Sequence, residues 1–75
     1  MIRVPMPKHS REVYRDMYAA ALLHLEKRHD GDIEAIREDV ARSLRKAMKE
    51  LGEGKTDQEY SERYIEILFK DTFGN

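Results

Sequence analysis

Residues 33–51 read IEAIREDVARSLRKAMKEL, and this stretch decides the fold class. Its apolar residues recur every three or four positions and form one narrow stripe on a helical wheel: Ile33, Ile36, Val40, Leu44, Ala47 and Leu51. Acidic residues occupy the beginning of the stretch and basic residues its end, which suits the helix dipole. Gly52 is well placed as the left-handed residue that follows a helix end. The stretch therefore predicts an amphipathic helix that stops before Gly52.

Another helical pattern precedes this stretch. Ser10 is a suitable N-cap, and Glu12 falls in the first turn, where a negative charge is favourable. An apolar stripe follows at helical spacing, formed by Tyr14, Tyr18, Ala21 and Leu25 with Met17 and Leu22 beside it. Residues 30–32, Asp-Gly-Asp, then form a tight joint, which predicts that the next helix folds back antiparallel as a hairpin.

A third helix is predicted after the flexible joint at residues 52–55. Thr56 and Glu59 match a capping box, and the helix should continue to about Thr72. Its apolar residues cover more than half of the wheel: Tyr60, Tyr64, Ile65, Ile67, Leu68 and Phe69. So wide an arc is typical of a helix between two surfaces, one of which could belong to another chain. We therefore predict an interface formed by Tyr60, Tyr64, Ile65, Leu68 and Phe69.

The beginning of the chain differs from the rest. Pro5 and Pro7 favour an extended backbone over residues 1–8, and the alternation in Ile2-Arg3-Val4 could add a short edge strand. The predicted fold class is all-α: one compact three-helix domain over residues 1–75, with the third helix at about residues 57–72.

Composition excludes several classes of protein. The 75 residues include no cysteine, so a disulfide framework, a cysteine zinc site and a thiol nucleophile are absent. The net charge of −1 is too balanced for a dedicated nucleic-acid binder. The longest apolar run, residues 17–25, is shorter than the roughly 18 residues of a membrane span, and no signal core opens the chain. We expect a cytoplasmic protein. Because the domain is so small, it could also self-associate.

Four basic residues near the end of the second predicted helix project away from its apolar stripe: Arg42, Arg45, Lys46 and Lys49. They could lie along a row of phosphates in a nucleic acid or bind another anion. Basic residues in a last turn also stabilise a helix by about 0.3–1 kcal/mol, and Glu38 can pair with Arg42 four positions later. We favour a solvated surface over the phosphate-binding interpretation.

No constellation of residues predicts catalysis or metal binding. His24 and His29 are five positions apart, which places them on different helix faces, and Asp30 with Asp32 lacks the other ligands of a calcium loop. His9 precedes Ser10 without a nucleophile, a paired carboxylate or a phosphate loop nearby in sequence. We therefore predict no catalytic residue, no metal and no cofactor.

Two blocks of the sequence resemble the ChaB family. Residues 6–18 read MPKHSREVYRDMY and are followed by Ala21. In the family, a Leu-Pro-x-His sequence leads into a helix that contains an aliphatic–tyrosine pair, then an aromatic residue and an alanine. Residues 35–49 resemble the family's second helix, which ends in an Ala-Val-Lys-like step; the family's tryptophans are absent here. The resemblance covers about residues 6–51, and its signature positions are Pro7, His9, Tyr14, Tyr18 and Ala21, which we expect to set the helix entry and the core.

The resemblance implies a small, mainly helical regulator of cation transport, since the family is associated with a cation/proton antiporter. Related proteins also occur in phages and viruses, and some of them are ascribed DNA binding. The sequence thus carries two hypotheses: a non-enzymatic regulatory protein that docks onto a protein partner or itself, and alternatively a small DNA- or RNA-binding protein that uses the basic residues, with Lys8, Arg11 and Arg15 as additions. Neither the partner, the cation nor the oligomeric state follows from the sequence.

Overall fold

The computed structural model describes residues 10–74. They form three helices, α1 (Arg11–Arg28), α2 (Ile33–Leu51) and α3 (Asp57–Phe73), which confirms the predicted all-α three-helix fold. The proposed edge strand at Ile2-Arg3-Val4 lies outside the described residues.

Local hydrogen bonds set the helix ends. The Ser10 hydroxyl accepts from the backbone N–H of Val13 at 3.2 Å, and the Thr56 hydroxyl accepts from that of Glu59 at 3.1 Å. The Glu59 carboxylate accepts a hydrogen bond from the Thr56 hydroxyl at 3.4 Å. The capping box is therefore completed by a contact between these two side chains. Gly52 caps α2 with φ +74°, a conformation that favours glycine. Each of these positions was predicted from the sequence.

The joint between α1 and α2 is a Schellman turn. The Gly31 N–H donates to the Glu26 carbonyl at 2.9 Å and the Asp30 N–H to that of Lys27 at 3.3 Å. Asp32 then begins α2, because its carboxylate accepts from the backbone N–H groups of the second and third helical residues. Asp30 occupies the left-handed position with φ +52°, where glycine is the usual residue.

Replacing Asp30 with Gly is expected to raise the free energy of unfolding by about 1 kcal/mol, because it relieves the left-handed backbone and removes an acid from a helix C-terminus. Urea denaturation measures this effect. Asp30→Asn is the matched control: it removes the charge but keeps a side chain at the position, so it should give about half the gain. A loss of stability in Asp30→Gly would contradict this account of the turn.

Helix α3 lies between the other two helices. It runs parallel to α1, since Tyr14 near the start of α1 contacts Glu66, whereas Arg28 at its end donates to the Thr72 carbonyl at 2.9 Å. It runs antiparallel to α2, because the early α3 residue Arg63 meets the late α2 residue Glu50. The order of contacts thus places α1 and α2 antiparallel to each other, as predicted.

The two arms of this hairpin contact each other only slightly, whereas each packs along α3. The wide apolar arc of α3 does lie between two surfaces, as its sequence indicates. Both surfaces belong to the same chain, so α3 supplies the contact that the hairpin itself lacks.

Within residues 10–74, the core lies along α3 and contains six buried hydrophobic residues: Tyr14, Ala21, Leu25, Ala47, Ile67 and Leu68. Tyr18, Ile36, Val40 and Tyr64 pack against it while half-buried. Two buried hydroxyls face the core as well. Ser43 donates to the Asp39 carbonyl at 3.1 Å and Thr72 to the Leu68 carbonyl at 2.6 Å, so each is satisfied within its own helix.

Candidate functional site

The predicted interface on α3 requires a correction at Leu68. This side chain is 1% exposed in the chain's own core, so a partner cannot reach it. Leu68 was assigned to an interface because the width of the arc alone could not say which positions α1 and α2 would cover.

The other four residues of that prediction are half-buried. The Tyr64 ring packs edge-on against Tyr18 with centroids 5.9 Å apart, and the Tyr60 hydroxyl donates to the Gly52 carbonyl. The Phe69 ring lies 4.8 Å from that of Phe73. Ile65 lines a cleft where the first turns of α1 and α3 lie side by side. These four side chains therefore pack largely against residues of their own chain.

Burial also changes the ionisation of the tyrosines. Desolvation raises the pKa of Tyr64 far above its ordinary value, and hydrogen bonding to Tyr18 raises it further. The pKa of Tyr14 is raised by burial and then by the negative charge of Glu66, to which its hydroxyl donates at 3.3 Å. Both hydroxyls therefore stay neutral and serve packing rather than proton transfer at ordinary pH.

The signature positions of the ChaB resemblance divide into two groups. Tyr14 and Ala21 lie in the core and Tyr18 packs against it, in agreement with the structural role expected of them. Pro7 and His9 lie outside the described residues.

The predicted basic surface is present, but three of its four cations are paired with carboxylates of the same chain: Arg42 with Asp39 at 3.5 Å, Arg45 with Glu38 at 3.1 Å and Lys46 with Asp71 at 3.0 Å. Lys49 has no ion pair within residues 10–74. These pairs are solvent-exposed and contribute little stability. They do reduce the positive potential that a row of phosphates would meet.

Part of this surface continues into an open groove of about 550 Å³ between α2 and α3. The groove is lined by four cations and two carboxylates, namely Lys46, Lys49, Arg63, Lys70, Glu50 and Asp71. Arg63 is held by Glu50 at 2.5 Å and Glu66 at 3.4 Å, and the hydrogen bond to Glu50 is the main reason that its pKa is raised. Lys49 and Lys70 are therefore the cations of the groove that an anion could reach without breaking an ion pair within residues 10–74.

The two described histidines lie in different surroundings. The Nε2 atom of His29 contacts the Asp39 carboxylate at 2.6 Å, whereas the His24 ring packs 4.8 Å from Phe73. Among residues 10–74, no group of three or more His, Cys, Asp or Glu side chains is arranged to hold a metal ion.

The least expected surface lies on α2. Ile33 is 61% exposed, Leu44 39% and Met48 52%, although the first two belong to the stripe that marked this helix as amphipathic. Packing against α3 buries Ala47, another member of this stripe, together with the neighbouring Ser43. The buried side of α2 is therefore rotated by about a quarter of a turn from the exposed apolar residues.

We call the exposed residues the outer face of α2: Ile33, Leu44 and Met48, continued by the half-buried Leu51. Sequence reasoning did not assign this face to a partner. The available signal was Met48, which widens the stripe beyond what one neighbouring helix can cover. A row of large apolar side chains along 27 Å of helix, roughly, is typical of an interaction surface.

No family model matches the chain, and no curated protein or solved structure matches it either. None of the three described helices is long and apolar enough to cross a membrane. The structure is a three-helix domain in which α2 is covered by α3 on one side and exposed to solvent on the other.

Proposed function

We propose that this chain is a small non-enzymatic regulatory protein that binds a protein partner through the outer face of α2. The observation that carries this proposal is the exposure of Leu44 and Met48 on a helix whose other side is buried against α3. Leaving such side chains in water forgoes the favourable free energy of burying them, and docking on an apolar surface recovers it.

The ChaB resemblance supports a regulatory role and suggests its process. Residues 6–51 include α1 and α2 and thus the proposed docking helix. The resemblance points to regulation of cation transport, with a transporter's cytoplasmic face as a candidate place of action. The wide arc of α3 no longer motivates docking, because α1 and α2 cover it.

The test is made in the source organism. Deleting the gene should change growth in raised Na⁺, K⁺ or Ca²⁺, and the wild-type chain should restore it. A chain with Leu44→Glu and Met48→Lys should not. Leu23→Glu on α1, where the leucine is 60% exposed, is the matched control and should restore growth. Full complementation by the Leu44→Glu/Met48→Lys chain would contradict the proposal.

Nucleic-acid binding is the second candidate function, favoured by Lys49 and Lys70, the two lysines of the groove between α2 and α3 that form no ion pair within residues 10–74. Duplex DNA should then be retarded at low salt and released as salt rises, because phosphate contacts displace counterions. Lys49→Ala with Lys70→Ala should remove the shift, whereas Lys27→Ala with Lys55→Ala, also exposed, should leave it unchanged. Absence of a shift at low salt would reject this candidate.

A further inference from the structure

We propose that the groove between α2 and α3 binds a phosphate monoester in its dianionic form. The proposal assigns a ligand to a site other than the outer face of α2, so it does not depend on the proposed function. The ligand also differs from a nucleic acid, because it presents one terminal phosphate on a small body and not a row of backbone phosphates. The proposal is carried by the arrangement of ion pairs in the groove and by the balance of its charges.

Two ion pairs between α2 and α3 mark the ends of the groove. Lys46 meets Asp71 at 3.0 Å at one end, and Arg63 meets Glu50 at 2.5 Å at the other. The two α2 members of these pairs are four positions apart, which is about 6 Å along the helix. The pairs hold both carboxylates of the groove at its ends.

Lys49 and Lys70 lie between these pairs in the sequence, one on each wall of the groove. Both are exposed, and neither forms an ion pair with any other residue of the described part of the chain. Because the ion pairs are so close together and lysine side chains are long and flexible, both ammonium groups can reach one anion between the walls. Lysine binds phosphate as a compact point charge.

The charge of the groove specifies a dianion. Its four cations exceed its two carboxylates by two. A phosphate monoester carries a charge of about −1.5 to −2 at pH 7. It therefore neutralises the groove, whereas a carboxylate or a backbone phosphate of nucleic acid, each with a single negative charge, leaves part of the positive charge uncompensated.

The lining of the groove suits an organic ester. Ile67 is its buried apolar member, with 9% of the residue exposed, and the methylene groups of the lysines add apolar surface beside it. The volume of about 550 Å³ is within the range of small-molecule sites. An apolar body can therefore contact Ile67 while its phosphate lies between Lys49 and Lys70.

NMR titration of the purified, nitrogen-15-labelled full chain with phenyl phosphate tests the proposal. Amide shifts should change mainly at residues 46–50 and 63–71, with a dissociation constant of millimolar order, because solvent-exposed ion pairs are individually weak. Benzoate is the matched control ligand, since it has the same ring and a single charge. It should bind about fivefold more weakly.

Charge variants test the two lysines. Lys49→Gln with Lys70→Gln should weaken the binding of phenyl phosphate about tenfold, because both unpaired charges are lost. Lys49→Arg with Lys70→Arg keeps the charges and should retain binding. Lys27→Gln with Lys55→Gln, two exposed lysines outside the groove, is the control and should leave binding unchanged. Circular dichroism verifies that each variant is folded.

Shift changes confined to residues outside the groove, equal affinity for benzoate, or undiminished binding by the Lys49→Gln/Lys70→Gln chain would overturn the proposal. Absence of binding at about 20 mM phenyl phosphate would overturn it as well. Retardation of DNA without binding of phenyl phosphate would reject this ligand and retain the nucleic-acid candidate, whereas binding without retardation would do the reverse. The regulatory proposal is judged separately, by growth of the complemented deletion strain.

Discussion

Ending the chain at Lys55, and thereby removing α3, is expected to abolish cooperative folding of α1 and α2. The two helices contact each other only slightly, and each depends on α3 for its packing. Most of the stability of a helix in a protein comes from tertiary packing of its apolar face, so the truncated chain should retain only partial helicity. Circular dichroism should show a broad, non-cooperative thermal change in place of a single transition.

A peptide spanning residues 56–75 is the control for this experiment. Added in trans to the truncated chain, it should restore helicity and a concentration-dependent transition, because it supplies the surface on which both helices pack. A truncated chain that melts cooperatively without the peptide would show that α1 and α2 form an independent hairpin, contrary to the structure.

Leu68→Ala is expected to lower the free energy of unfolding by about 3 kcal/mol. The side chain is 1% exposed and belongs to the cluster with Ala21 and Leu25, between the flanking helices. Its loss removes buried apolar area and leaves a cavity where three helices meet. In a domain whose whole stability is about 5–10 kcal/mol, urea denaturation should show a large shift of the midpoint.

Leu23→Ala is the matched control because it deletes the same atoms from another helix. Leu23 is 60% exposed, so the change should alter the free energy of unfolding by less than about 0.5 kcal/mol. Equal effects of the two substitutions would mean that Leu68 is not at the centre of the core.

Much of the local structure follows from short-range chemistry. Ser10 and Thr56 begin helices because their hydroxyls accept hydrogen bonds from residues three positions later, and Gly52 ends one because it tolerates a positive φ. The apolar residues of α1 lie where their spacing places them, with Tyr14, Ala21 and Leu25 buried. Such features involve neighbours in the sequence and can be predicted from it.

The candidate site was less accessible to prediction. The basic residues were found, but the partner of Lys46 is Asp71, twenty-five positions away, so its ion pair could not be anticipated. Ile33, Leu44 and Leu51 of the outer face were predicted as part of the amphipathic stripe of α2, without any indication that this face would remain exposed, and Met48 was not included in the stripe. Which side of the stripe is covered depends on where α3 packs.

The sequence by itself determined three helices, their boundaries and the apolar stripe on each, because caps, turns and periodicity are local properties. Only the tertiary structure decided that α3 lies between α1 and α2, that Leu68 belongs to the core, and that Leu44 and Met48 face solvent. The physical reason is that a helix presents a continuous apolar surface, whereas each neighbour covers only one side of it. Here α3 covers the side of α2 that contains Ser43 and Ala47, and the larger side chains remain available for a partner.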